Sequence, residues 1–211
     1  MLDEIIPIFP STIATTRVEI DFDGLLAARD WEWTGALRGV APGERVYQAD
    51  SEIAQRTADV HVLADFPDIR DALLAGVMDF SVKVLQQYQL ELAITTSWIT
   101  RTRPRGFSAR HHHSNSYLSA VWYPQASSTI TFTAPVVSTI LPNEPAEWNI
   151  YNAQAWTIQP EPNMLVIFPS YLQHQIDEND TDDTRYSLAI NTFPVGMFGV
   201  GDSTLQVNDV G

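Results

Sequence analysis

Three adjacent histidines, His111, His112 and His113, stand in the stretch ARHHHSNSYLSAVWY, in a chain of 211 residues with five histidines in all. Side chains alternate faces along a strand, so His111 and His113 point one way and His112 the other. Two imidazoles one strand-repeat apart can grip a single ion, and imidazole is the commonest side-chain metal ligand. A third ligand must come from elsewhere, and His174 in FPSYLQHQIDEND is the candidate. An antiparallel barrel can bring such distant strands together at one end. The fifth histidine, His61 in ADVHVLADF, falls in a region of helical texture and reads as structural. Spacing alone leaves open the alternative that the triplet is an exposed, solvated stretch.

A second group follows. In RYSLAINTF, eleven positions past His174, Arg185 and Ser187 alternate onto one face of a strand that should run beside the one carrying His174. A guanidinium fork matches a carboxylate bidentately, and a neighbouring hydroxyl adds a donor to the same group. Inside a barrel an unpaired arginine is costly, so it calls for an anion. The alternative is a structural ion pair with Asp177, Asp182 or Asp183, which look like turn residues outside the barrel.

The elements that must position these residues fall into two textures. Residues 1–90 read as largely helical: DFDGLLAARDWEW and DIRDALLAGVMDFSVKVLQQYQL place Ile69, Leu73, Leu74, Val77, Phe80 and Val84 at helical spacing, with Asp68 after Pro67 as a helix start. From Leu92 onward, short runs rich in Ile, Thr, Val, Phe and Tyr are punctuated by Pro, Asn and Gly, the pattern of an antiparallel β-domain. LAITTSWITRT, SYLSAVWY, STITFTAP, AWTIQP, MLVIFPS, HQIDE and RYSLAINTF each read as strands. That number suffices for two facing sheets, a jelly roll, with the helices packed outside. The expected organisation is one domain over 1–211, with a jelly-roll core over 91–200 and a C-terminal tail over 201–211.

Composition narrows the partners. With 45% hydrophobic residues the chain can bury a substantial core, and disorder is not expected. Twenty-six acids against twelve bases give a formal charge of −14, which repels nucleic acids and anionic membranes alike. Arg101, Arg103, Arg105 and Arg110 crowd into TRTRPRGFSAR, either a solvated turn or a cationic rim for a small anion. Cysteine is absent, so a metal would be held by nitrogen and oxygen. The opening MLDEIIPIFPST lacks the character of a secretory signal, and no apolar run approaches the ~20 residues of a membrane span. A soluble, cytoplasmic protein is expected. The helical part could support a homodimer, though no feature demands one.

H-x-H on an early strand, a distant His, and R-x-S about ten residues beyond it together resemble the iron(II)- and 2-oxoglutarate-dependent oxygenases. More closely, SWITRTRPRGFSARHHHSNSYLSAVWY, IFPSYLQHQIDENDTDDTRYSLAINTF and the opening IPIFPSTI resemble the 2-oxoglutarate–Fe(II) oxygenase family found in marine bacteria and phages. The likeness covers the β-region well and the helical region loosely. It implies a double-stranded β-helix with Fe(II) at the barrel mouth, 2-oxoglutarate as cosubstrate and O2 as oxidant. It implies His111 and His174 as metal ligands, and Arg185 with Ser187 as the grip on the far carboxylate of 2-oxoglutarate. Asn115 and Tyr123 could bind the cosubstrate's other end. The superfamily's usual site is H-x-D with a distant His, whereas here the second position is His113. Three histidines, two with water or chloride in the third place, or a register using His113 and Asn115 all remain open.

The implied reaction converts 2-oxoglutarate to succinate and hydroxylates a small-molecule or peptide substrate that the sequence does not name. Trp98, Trp122 and Trp148 could line its pocket, although core packing is the commoner role of such residues. A cupin-like isomerase or cosubstrate-free dioxygenase would not need R-x-S. A non-enzymatic metal- or ligand-binding jelly roll would make no succinate.

Overall fold

The computed structural model describes residues 4, 7, 9–35, 53–135 and 145–208. Its strands are β1 (Ala14–Arg17), β2 (Trp33–Gly35), β3 (Ala54–Thr57), β4 (Glu91–Thr102), β5 (Ser108–His111), β6 (Leu118–Tyr123), β7 (Ile130–Thr133), β8 (Ala155–Ile158), β9 (Met164–Pro169), β10 (His174–Ile176), β11 (Arg185–Phe198) and β12 (Leu205–Val207). Two α-helices, α1 (Phe22–Ala27) and α2 (Pro67–Lys83), lie among them. All seven strand stretches expected downstream of residue 90 are present.

The strands form two sheets. The larger runs β1-β9-β6-β11-β4-β3-β2 with β12 added to β11, and the smaller runs β5-β10-β7-β8. Strands β4, β6, β9 and β11 belong to the first and β5, β7, β8 and β10 to the second, so the chain repeatedly crosses between facing sheets: a double-stranded β-helix.

Burial explains why β6 reads as an unbroken apolar run. Leu118, Ala120 and Trp122 pack with Leu73, Val77 and Phe80 of α2, while Val121 and Tyr123 pack with Ile130, Phe132, Phe168 and Ala189 between the sheets. Both faces of the larger sheet are therefore covered, and every residue of β6 is buried. Helix α2 sits close to the sheet at Gly76, where an added Cβ would come 2.8 Å from Leu165 Cδ2.

The described residues of 1–90 are not largely helical, which corrects the sequence reading. Among the described residues of this region, β1 pairs with β9, and β3 joins β4 and carries β2. The edges of the large sheet recruit these short segments, in which strand pairing depends on an available partner more than on local propensity. Helix α1 covers only the start of DFDGLLAARDWEW. Asp21 caps it by accepting from Gly24 N (2.9 Å), and the Trp31 indole donates to the Leu25 and Leu26 carbonyls, closing its end. Helix α2 stops at Lys83 rather than running on to Leu90. Gln86 takes a left-handed backbone (φ 57°), and Gln87 N donates to Ser81 O. The C-terminal tail contributes β12, a hairpin partner of β11. Ile6 and Ile8 of the IPIFPSTI stretch lie outside the described residues.

Candidate metal centre

Strands β5 and β10 are neighbours, and His174 is the direct register partner of His111. Their ring centroids are 4.4 Å apart. His113 lies beyond the last residue of β5, yet its ring is 5.2 Å from each of the other two. One nitrogen from each of the three can be chosen so that all lie within 4.8 Å of one another. Ligands cis on a metal at about 2.1 Å stand roughly 3 Å apart, so a modest inward turn of the rings completes the coordination. His174 is buried (2% exposed), and His111 and His113 are half-buried. His112 is exposed, as the alternation requires, and His61 is exposed at an isolated bridge to Ser97.

The protonation pattern suits a metal. His111 Nδ1 donates to Ala109 O (2.8 Å), and His174 Nδ1 donates to Leu172 O (3.0 Å). A carbonyl can only accept, so each ring carries its proton on Nδ1 and its lone pair on Nε2, the usual outer partner of a ligating imidazole. Burial pushes His113 down to about 3, and the neighbouring His174, His111 and His112 push the same way. It is neutral at physiological pH, as a metal ligand must be. Among the described residues no Asp or Glu joins the three imidazoles.

Arg185 heads the second group of candidates. Arg185 begins β11 opposite Thr102 and is 6% exposed; by alternation Ser187 and Ala189 share its face, and Ala189 belongs to the cluster between the sheets. Arg185 Nη1 donates to the backbone oxygen of Asp177 (3.0 Å), and among the described residues no carboxylate forms an ion pair with it. The structural ion pair weighed from sequence is thus not formed. The Asp177 carboxylate is taken instead by Thr129, Thr131 and Gln175. Burial pushes the guanidinium down to about 10, against the pull of Tyr123, Asp177 and Asp180, so it remains cationic at neutral pH. The Tyr123 phenol, pushed up by burial and drawn down by Arg185, has a buried hydroxyl without a hydrogen-bond partner among the described residues. A buried cation and a buried hydroxyl in each other's field could together receive a carboxylate.

The remaining candidates separate cleanly. Asn115 is exposed in a turn with φ 55°, a left-handed backbone that Asn tolerates, and this accounts for its residue type without a cosubstrate contact. Trp98 packs against His113 at 5.7 Å, Trp122 lies in the core on the other face of the sheet, and Trp148 is exposed. Of the arginine cluster, Arg101 stacks over Trp33 (4.2 Å) and bonds Gln55, and Arg105 pairs with Glu178; Arg103 and Arg110 are exposed. Sequence reasoning missed Ser170, which accepts from the His113 backbone N–H (3.0 Å).

Residues 96–191 match the family model described as "Putative 2OG-Fe(II) oxygenase". This stretch of the chain is similar to the 2OG-Fe(II) oxygenases. The match spans both histidine elements and Arg185. Among solved structures, the non-heme alpha ketoglutarate dependent epimerase SnoN from nogalamycin biosynthesis is similar at 12% identity and a TM-score of 0.57, over 89% of this chain and 78% of that one. HygX from Streptomyces hygroscopicus, solved with nickel, 2-oxoglutarate and hygromycin B bound, is similar at 13% identity and a TM-score of 0.54, over 87% and 83%. An oxidoreductase of the 2OG-Fe(II) oxygenase family from Burkholderia pseudomallei gives 12% and 0.53, over 81% and 75%. At these identities the likeness establishes the fold, the double-stranded β-helix of the 2OG-Fe(II) oxygenases. No curated protein matches the chain. Among the described residues, no helix is long and apolar enough to cross a membrane.

Proposed function

We propose that the protein oxidises a small-molecule or peptide substrate with O2 and 2-oxoglutarate, as one domain over residues 1–211, with Fe(II) held by His111, His113 and His174. The observation that carries this reading is the presence of two groups in one fold: three imidazoles converge, and among the described residues the buried Arg185 has no carboxylate ion pair and the buried Tyr123 hydroxyl no hydrogen-bond partner. Bound Fe(II) supplies oxygen activation coupled to the conversion of 2-oxoglutarate to succinate and CO2.

The chain's own residues supply the rest. The carbonyls of Ala109 and Leu172 hold two imidazoles in the ligating tautomer. Arg185, aided by the Tyr123 hydroxyl and by Ser187 on the same face, receives the distal carboxylate and so aims the other end of the dicarboxylate at the metal. Phe168 against His174 (4.7 Å), Phe132 (5.8 Å) and Trp98 against His113 wall the centre with apolar surface that excludes water. A cytoplasmic setting, where 2-oxoglutarate and reduced iron are both supplied, belongs to the same proposal.

The test is succinate formation from 2-oxoglutarate with Fe(II), ascorbate and O2, run beside calorimetric binding of 2-oxoglutarate to the metal-loaded protein. Binding lost in Arg185→Ala together with succinate lost is the expected outcome. Metal-dependent activity untouched by that substitution would point to a cupin-like enzyme instead, and absence of both binding and turnover would leave a ligand-binding jelly roll.

A further inference from the structure

His113 has an unusual support. Strand β5 ends at His111, so the ladder that seats His111 against His174 does not extend to the third imidazole. Its backbone N–H donates instead to Ser170 O (3.0 Å), and Ser170 N donates to Tyr117 O (3.1 Å). Ser170 follows directly on β9 and is wholly buried, its Oγ lying 2.8 Å from both Ser116 Oγ and Ser119 Oγ. Ser119 Oγ donates to Asn191 Oδ1 (2.8 Å), and Asn191 Nδ2 donates to Thr96 Oγ1 (3.1 Å).

Proton counting gives this chain one direction. The Ser119 hydroxyl proton is used on Asn191, so Ser119 can only accept from Ser170. The Ser170 proton is thereby used, so Ser170 accepts from Ser116. The donors run Ser116, Ser170, Ser119, Asn191, with Thr96 Oγ1 as the last acceptor, and the chain joins the turn after His113 to β6, the end of β9, β11 and β4. The Asn191 end sits where the β4–β11 ladder shifts register between Asn191 and Thr192. A directed network of this kind, with each hydroxyl satisfied, rigidifies what it touches.

We propose that Ser170 is a positioning residue for His113: its backbone oxygen holds the His113 amide, and the hydroxyl relay holds Ser170, so that the third imidazole is aimed at the metal without a strand beneath it. This rests on the reading of the three histidines as a metal centre.

The experiment is Co(II) binding to the full chain, by calorimetry and visible absorption, for wild type, Ser170→Ala, His113→Ala and the double variant. Ser170→Ala should weaken Co(II) binding about 10-fold, the lower end for losing an outer-shell support, and alter the absorption band. On the His113→Ala background it should cost nothing further. A loss of equal size with and without His113, or unchanged affinity in a variant whose metal-free unfolding midpoint has dropped, overturns the proposal by showing a structural role alone. Should Ser170→Ala fail to fold, Ser116→Ala, at a half-buried hydroxyl of the same relay, is read through the same cycle. Wild-type protein that binds no Co(II) sinks this inference and the metal reading together; Co(II) binding with a coupled cycle but no succinate sinks only the oxygenase chemistry.

Discussion

His111 and His174, sixty-three residues apart in sequence, are direct cross-strand partners on β5 and β10, and each donates its Nδ1 proton to the carbonyl two residues before it. The repeated arrangement gives both rings the same tautomer and the same facing. His174→Ala should therefore reduce metal affinity by more than about 100-fold, beyond the 10–100-fold typical of losing an outer partner. His112→Ala should leave affinity unchanged, because that ring is exposed on the opposite side. Calorimetric titration with Co(II) or Ni(II) checks both, and the reverse ranking would mean that the strand faces are assigned backwards.

Tyr123 and Arg185 separate ligand binding from stability. The Tyr123 hydroxyl is buried without a partner among the described residues, so Tyr123→Phe removes a desolvated group that contributes nothing to the free protein. Its unfolding midpoint should hold or rise, while 2-oxoglutarate affinity falls about fivefold, the worth of about 1 kcal/mol for one hydrogen bond. Arg185→Ala should cost at least about 30-fold, since truncating one side of a buried charge pair is worth 2 kcal/mol or more. Stability lost in Tyr123→Phe with affinity intact would show the phenol to be a core residue only.

The legible part of this molecule was what period two and local composition encode. The facing of His111 and His113 was read from alternation, which persists one step past the end of β5 because Ser170 O takes over from the ladder. Strands β1 to β3 were not legible: each is three or four residues long and exists because a sheet edge is available, which no local pattern states. The stop of α2 depends on a left-handed Gln86, a conformation that sequence flags only when the residue is Gly or Asn. Ser170 gave no signal because its partners, Ser116 and Ser119, lie more than fifty positions upstream. The orphaned Tyr123 hydroxyl is likewise a property of the packed interior.

Asp177 supplies a pH dependence. Burial works to raise its carboxyl, but hydrogen bonds from Thr129, Gln175 and Thr131, with Arg185 nearby, hold it below the usual carboxylate range. The unfolded chain then binds the proton more readily than the native one, so this contribution to stability is present above about pH 4, the ordinary carboxylate value, and is lost as pH falls through the lowered native value. Asp177→Asn should show a shallower decline in urea midpoint between pH 6 and pH 2.5 than the wild type. Parallel curves would mean that other carboxylates carry the acid limb.

His113→Asp tests whether residue 113 touches the metal. In the metal-free protein the new carboxylate would occupy the buried place where desolvation already drives the His113 imidazole down to about 3. A carboxylate there meets the same penalty on its charged form, so the unfolding midpoint of the metal-free variant should fall below wild type. With a divalent ion bound, that charge faces a cation and the penalty is offset, so the rise in midpoint on adding metal should be larger than in wild type. The donor set also becomes two imidazoles and a carboxylate, harder and one charge less positive, which suits Mn(II) better and Ni(II) less. Anaerobic titrations should show the Mn(II) to Ni(II) affinity ratio shifted toward Mn(II). An unshifted ratio, with no gain in metal-induced stabilisation, would place residue 113 outside the coordination sphere and leave the centre with two protein imidazoles.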